Sequence, residues 1–200
     1  MVDETDARQV RTLLDRQAVL DCLTRYARGV DRLDREQLLS AFHPDAVIDQ
    51  GMFVGSPPRF ADWAFSVHDQ LHENHQHFLM NHQCSVDGDQ ARAETYFMFV
   101  GVNRSGAERT SSSGGRYLDH LERRQGVWRI VRRVVLRDWT SAGRSGAPDD
   151  PARHTAVAAL LDDVGLALLA TAPRPARDSS DPSYLPQLVI DDARVARGAF

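Results

Sequence analysis

Apolar residues first recur along the chain with a helical period. Val10, Leu14, Ala18 and Cys22 are spaced by four, and Val19, Leu23, Tyr26 and Val30 form one stripe of the same long helix. The pattern predicts a helix from about Val10 to between Gly29 and Asp31, after a polar, frayed segment 1–9. Asp34 is placed to cap a short second helix, with Gln37 at the capping-box position. That helix carries Leu38, Leu39 and Phe42 and ends before Pro44. Ala46 to Ile48 and Met52 to Val54 read as short strands across a turn. Ser56 and Pro57 then open a third helix, amphipathic through Phe60, Trp63, Ala64, Val67 and Leu71.

After Leu71 the period changes from 3.6 to 2. Strands are expected over His75–Val86, Ala91–Val102, Gly114–Glu122 and Val127–Trp139. Tight turns at Asp87 to Asp89 and Gln125-Gly126 and a polar loop from Asn103 to Ser113 separate them. Three helices followed by a four-stranded meander predict an α+β fold in which a curved antiparallel sheet closes over the helices around a cone-shaped pocket. Residues 1–140 form that domain. From Ser141 the composition shifts to Gly, Ser, Pro and Asp, and 141–200 read as an extension that packs on the barrel or on a second subunit. It holds a helix from about Pro151, with a stripe through Val157, Leu160, Leu161, Val164 and Leu168.

Composition narrows the function. The chain is 42% hydrophobic, with net charge −4, and all 24 of its basic residues are arginine. Such a balance argues against a nucleic-acid partner bound through a basic face. No segment reads as a signal peptide, and the apolar run 156–172 is interrupted by Asp162 and Asp163, so no membrane partner is expected. Cys22 and Cys84 sit in apolar patterns and read as buried free thiols. Without a disulfide framework, a cytoplasmic location is expected.

The candidate chemistry centres on residues 72–82, which hold four of the eight histidines. Alternation puts His75, His77, Leu79 and Asn81 on one face of the strand and His82 on the other. His77 and Asn81 are therefore expected to enter a pocket together. Asp31 follows a long helix at the end where the macrodipole disfavours an acid, so a partner is expected to hold it there. A histidine oriented by that carboxylate makes a good general base. Zinc bound by His72, His75, His77 and His82 is the competing reading, but His77 and His82 point to opposite faces, and no metal is expected. Tyr26, Arg116, Arg133 and Trp139 are further candidates. Arg129, Arg132, Arg133 and Arg137 share one strand, and periodicity does not say which faces inward.

Several of these pieces, in order, resemble one family. Tyr26 to Asp34 (YARGVDRLD), Phe42 to Ala46 (FHPDA), His77 to Asn81 (HFLMN), Gly115 to Asp119 (GRYLD), Gly126 to Arg133 (GVWRIVRR) and Asp138-Trp139 resemble the SnoaL-like branch of the nuclear transport factor 2-like superfamily. Asp181 to Tyr184 (DPSY) adds to the likeness. The resemblance implies a cone-shaped α+β barrel with a deep apolar pocket, in a superfamily that includes dehydratases, dehydrochlorinases, isomerases and polyketide cyclases. It implies His77 and Asp31 as the proton-removing pair, Arg133 as a pocket arginine aiding the leaving group, and Tyr26 as a polar helix residue. Asn81 matches a motif position whose role stays open. Asn81, Trp139, Phe53 and Phe97 are expected to bind substrate.

The expected function is a cofactor-independent lyase or isomerase, first of all a dehydratase, acting on a small apolar oxygenated substrate as a homodimer or homotrimer. Two alternatives remain: a non-catalytic binding or assembly protein, and the small subunit of a ring-hydroxylating dioxygenase.

Overall fold

The computed structural model describes residues 3–106, 108–141, 157 and 159–198. Helix α1 spans Glu4–Asp31, so residues 4–9 are helical, not frayed. Asp3 accepts from the Thr5 amide, and Glu4 and Asp6 place negative charge at the positive helix end. The stripe is buried from Val19 to Val30, whereas Val10 and Leu14 are 52% and 64% exposed. Helix α2 (Arg35–Ser40) is capped by Asp34, whose carboxylate accepts from the Gln37 amide at 3.0 Å. The return bond of a capping box is replaced, because the Gln37 side chain accepts from Arg28 at 2.6 Å. Helix α3 (Pro57–Leu71) begins after Ser56, which caps through its carbonyl alone.

Phe42, expected on α2, is the first residue of strand β1 (Phe42–Asp49), which turns into the two-residue β2 (Val54–Gly55). The remaining strands are β3 (His72–Asp87), β4 (Gln90–Asn103), β5 (Thr110–Arg124) and β6 (Val127–Thr140). Each outruns its expected bounds; Ser111 to Ser113, expected in a loop, pair with β4. Gln125 and Gly126 both have positive φ, which matches a tight turn to the strand twist.

Sheet order is β2-β1-β6-β5-β4-β3. Two expectations change. The sheet is not purely antiparallel, because β1 runs parallel to β6; the long chain between them permits this. Their pairing skips from Phe42 to Val47 around Pro44, which has no amide to donate. The curved sheet also stays open, with β2 and β3 as edges, and does not close into a barrel.

One face packs on the helices through Tyr26, Phe60, Tyr117 and Val135. Val134 and Leu136 point the other way and meet Leu168 and Ile190 of the extension. The extension holds helix α4 (Asp163–Ala170) and helix α5 (Asp192–Gly198); the expected helix start near Pro151 lies outside the described residues. Among the described residues, two buried ion pairs fasten it. Arg194 grips Asp49 at 2.7 and 2.8 Å, and Arg116 grips Asp181 at 2.8 and 2.9 Å. Arg116 is thus a clamp that also binds Glu94 and Asp138. Among the described residues no helix is long and apolar enough to cross a membrane.

The clamp carries a prediction. Burial alone would raise the pKa of Asp181, but Arg116 and the amides of Ala176 and Ser183 hold it below the usual carboxylate range. A lowered carboxylate stabilises the fold fully above its unfolded value of about 3.9 and loses that contribution as pH falls below it. Asp181→Asn is expected to cost about 2 kcal/mol near neutral pH and to flatten part of the acid limb below pH ~4. Urea midpoints at both pH values check this; an unchanged acid limb would count against it.

Candidate active site

Between the helices and the sheet lies a cavity of about 410 Å³, within the usual range for small-molecule sites. Phe60, Trp63, Val67, Phe97 and Phe99 give it an apolar wall, and Ser111 to Ser113 give it a polar end.

Asp31 is the last residue of α1, and β3 supplies its partners. Both carboxylate oxygens accept from the His77 backbone amide, at 3.1 and 2.9 Å, and Oδ1 lies 2.6 Å from His77 Nδ1. A carboxylate at a helix C-terminus is thus held by donors from the facing strand. An ionised acceptor at Nδ1 fixes the tautomer: Nδ1 carries the proton and Nε2 keeps its lone pair. His77 lines the cavity.

Tyr26 also lines it, with its ring over the Arg133 guanidinium at 3.9 Å. Burial raises its pKa, opposed by the Arg133 charge, so it stays a neutral donor. Phe97 lies on the wall, stacked on Tyr117 at 4.4 Å.

The other expected residues are placed differently. Arg133 does not reach the cavity. It is wholly buried behind Tyr26, pairs with buried Asp119 at 2.7 and 2.8 Å, and lies 4.2 Å from the Tyr117 ring. Burial works to lower its pKa, but Asp119 outweighs this and keeps it raised. Asn81 is exposed. Leu79 faces Phe97 and His82 faces Thr95, three residues against two, so an extra residue reverses the alternation. His82 turns inward instead and meets Thr95 Oγ1 at 2.8 Å. Trp139 is 43% exposed and lies against Gly114, because a second bulge, at Asp138, separates it from Arg137. Phe53 backs the wall, packed on Trp63 at 5.4 Å.

Two site residues escaped the sequence reading. Arg137 is the arginine of β6 that lines the cavity. It donates to Ser113 Oγ at 3.3 Å, no carboxylate among the described residues lies within ion-pair distance, and burial lowers its pKa. His68 continues the Phe60, Ala64 row of α3 at the same spacing of four, and that signal was available. It meets His72, His75 and His77 with ring centroids 4.0–6.0 Å apart. Burial, then the charges of neighbouring histidines, lowers the pKa of His68, His75 and His72, the last to about 4, so these three are neutral at pH 7. Cys22 is a buried thiol pushed up to about 11 by burial.

Residues 11–134 match the family model of the SnoaL-like domain. An uncharacterised protein of Mycobacterium tuberculosis strain H37Rv is 29% identical over 62% of this chain and 86% of its own length. Among solved structures, a hexachlorocyclohexane dehydrochlorinase of type 3 from Novosphingobium barchaimii LL02 is similar at TM-score 0.61. It is 22% identical over 70% of this chain and 99% of that one. A variant of a Mycobacterium tuberculosis protein of unknown function is also similar at TM-score 0.61, with 20% identity over 80% of this chain and 97% of the other. At such identities the structural likeness establishes the fold alone.

Proposed function

The chain belongs to the SnoaL-like family, and on that premise we propose that it is a cofactor-independent lyase or isomerase, in the first place a dehydratase, for a small, largely apolar, oxygenated molecule. The observation that carries the reading is the bond of 2.6 Å between Asp31 and His77 beside a cavity. His77 Nε2 takes a proton from carbon next to a carbonyl. The C–H electron pair passes onto the carbonyl oxygen as an enolate, which collapses to the new double bond as the C–O bond breaks. The departing hydroxide leaves as water with a proton from Tyr26, and His77 returns its proton to that phenol. Arg137, a half-buried cation on the cavity wall with no carboxylate among the described residues within ion-pair distance, stabilises negative charge on the substrate oxygen. This takes over the part the sequence reading gave to Arg133. The fold hosts many functions, so the site and not the fold carries the claim.

A panel of small β-hydroxy ketones, incubated with the protein in deuterium oxide, tests the reading. Deuterium entering next to the carbonyl, with loss of water, is expected for the native chain and not for His77→Gln. Exchange that persists undiminished in His77→Gln would overturn the assignment. Arg137→Met is expected to lower kcat by about 10²-fold, the scale of one oxyanion donor; a change confined to KM would instead make it a binding residue only.

A further inference from the structure

We propose that His68, His72 and His75 form a site for one divalent transition-metal cation of the zinc class on the cavity wall beside His77. This goes beyond the reading of His77 as a base and does not depend on it. One donor nitrogen from each of the three imidazoles lies within 4.8 Å of those of the other two. Two of them are already spaced for a shared cation, since His68 Nδ1 and His72 Nδ1 are 3.3 Å apart. Zinc–nitrogen bonds of about 2.0–2.1 Å at tetrahedral angles place ligand nitrogens roughly 3.3 Å apart.

His75 is oriented as a ligand from behind. Its Nε2 lies 3.2 Å from the carbonyl of Val30, which can only accept, so Nε2 carries the proton and Nδ1 the lone pair. A backbone carbonyl that accepts from the outer ring nitrogen in this way fixes the tautomer of metal-bound histidines. The ring of His68 stacks on that of His75, with centroids 4.0 Å apart.

Three local features assemble the trio. His68 and His72 are four apart at the end of α3. A bulge at the start of β3, where His72 faces Asn103 and Asn74 faces Val102, lets His72 and His75 both turn inward despite their odd spacing. Gly101 clears the space for the His72 ring, since a Cβ there would lie 2.4 Å from its Cδ2. Phe99 packs within 5.9 Å of all three rings and keeps the surroundings apolar. His68 and His72 line the cavity and His75 lies behind them, so the remaining coordination positions face the space a substrate would enter. Asp31, His75 and His77 form a second possible trio, but Asp31 there already accepts from both His77 donors.

The test uses the full chain without added histidines, stripped with chelator and titrated with Zn²⁺ by calorimetry and with Co²⁺ by visible absorption. One equivalent of each is expected to bind, with three paramagnetically shifted imidazole signals in the Co²⁺ form. His68→Gln and His72→Gln are expected to weaken binding at least about tenfold, and His77→Gln is expected to retain it. Gly101→Ala keeps all three imidazoles but displaces one, so it too should weaken binding. No stoichiometric binding, fewer than three shifted imidazoles, or binding lost in His77→Gln and kept in His68→Gln would each overturn the proposal.

Discussion

Asp31→Asn is expected to lower turnover by about 10²- to 10⁴-fold, the contribution of a positioned base, while leaving the fold intact. The reason lies in one oxygen. Asp31 Oδ1 sits 2.6 Å from His77 Nδ1 and both oxygens accept from the His77 amide. An asparagine has the same shape but only one acceptor. If its oxygen keeps the backbone amide, its NH₂ faces Nδ1 and the imidazole proton moves to Nε2. The nitrogen facing the cavity then has no lone pair with which to take a proton. Circular dichroism and the unfolding midpoint should change little, because the substitution removes no volume. Full turnover in Asp31→Asn with the native substrate would sink the mechanism, whereas loss of activity with loss of structure would locate the effect in stability.

Asp119→Ala is expected to cost about 3–5 kcal/mol, the penalty for a buried charge stripped of its partner. Arg133 and Asp119 are both at 0% side-chain exposure and bond in bidentate fashion. Arg133 NH1 already has no hydrogen-bond partner, so nothing described stands ready to replace the carboxylate. The guanidinium also packs against the rings of both Tyr26 and Tyr117, so its displacement would disturb the cavity wall at Tyr26. A drop in Tm of roughly 10 °C is expected for a chain of this size. The double variant Asp119→Leu with Arg133→Met removes both charges and should recover most of that loss. If the double variant were as unstable as the single one, the pair would matter through packing and not through charge.

Element types and their order were legible from periodicity, because half-buried helices and strands must repeat apolar residues at 3.6 and 2. The Asp31 and His77 pair was legible for a different reason: an acid at the wrong end of a helix needs a partner, and a cluster of histidines at a strand start supplies one. Asn81 was misplaced relative to the cavity because alternation was counted through a bulge, whereas Arg133 and Trp139 were expected there from the resemblance and not from alternation. At the foot of β6, Arg132 faces His120 while Ile130 faces Leu121, so Val131 is an extra residue that turns Arg133 inward. Phase errors of this kind cannot be seen from one strand, since a bulge is defined by the partner it is paired with.

The sequence by itself determined an α+β chain with a long first helix, an amphipathic third helix, a β-meander and a histidine-rich strand start. Only the tertiary structure decided which side chains enter the cavity, that β1 lies parallel to β6, that the extension covers the sheet's second face, and that Arg137 and His68 join the site. The physical reason is that periodicity is a local property of the backbone. The direction of a side chain after a bulge, and the burial of a charge, are set by contacts between residues far apart in the chain.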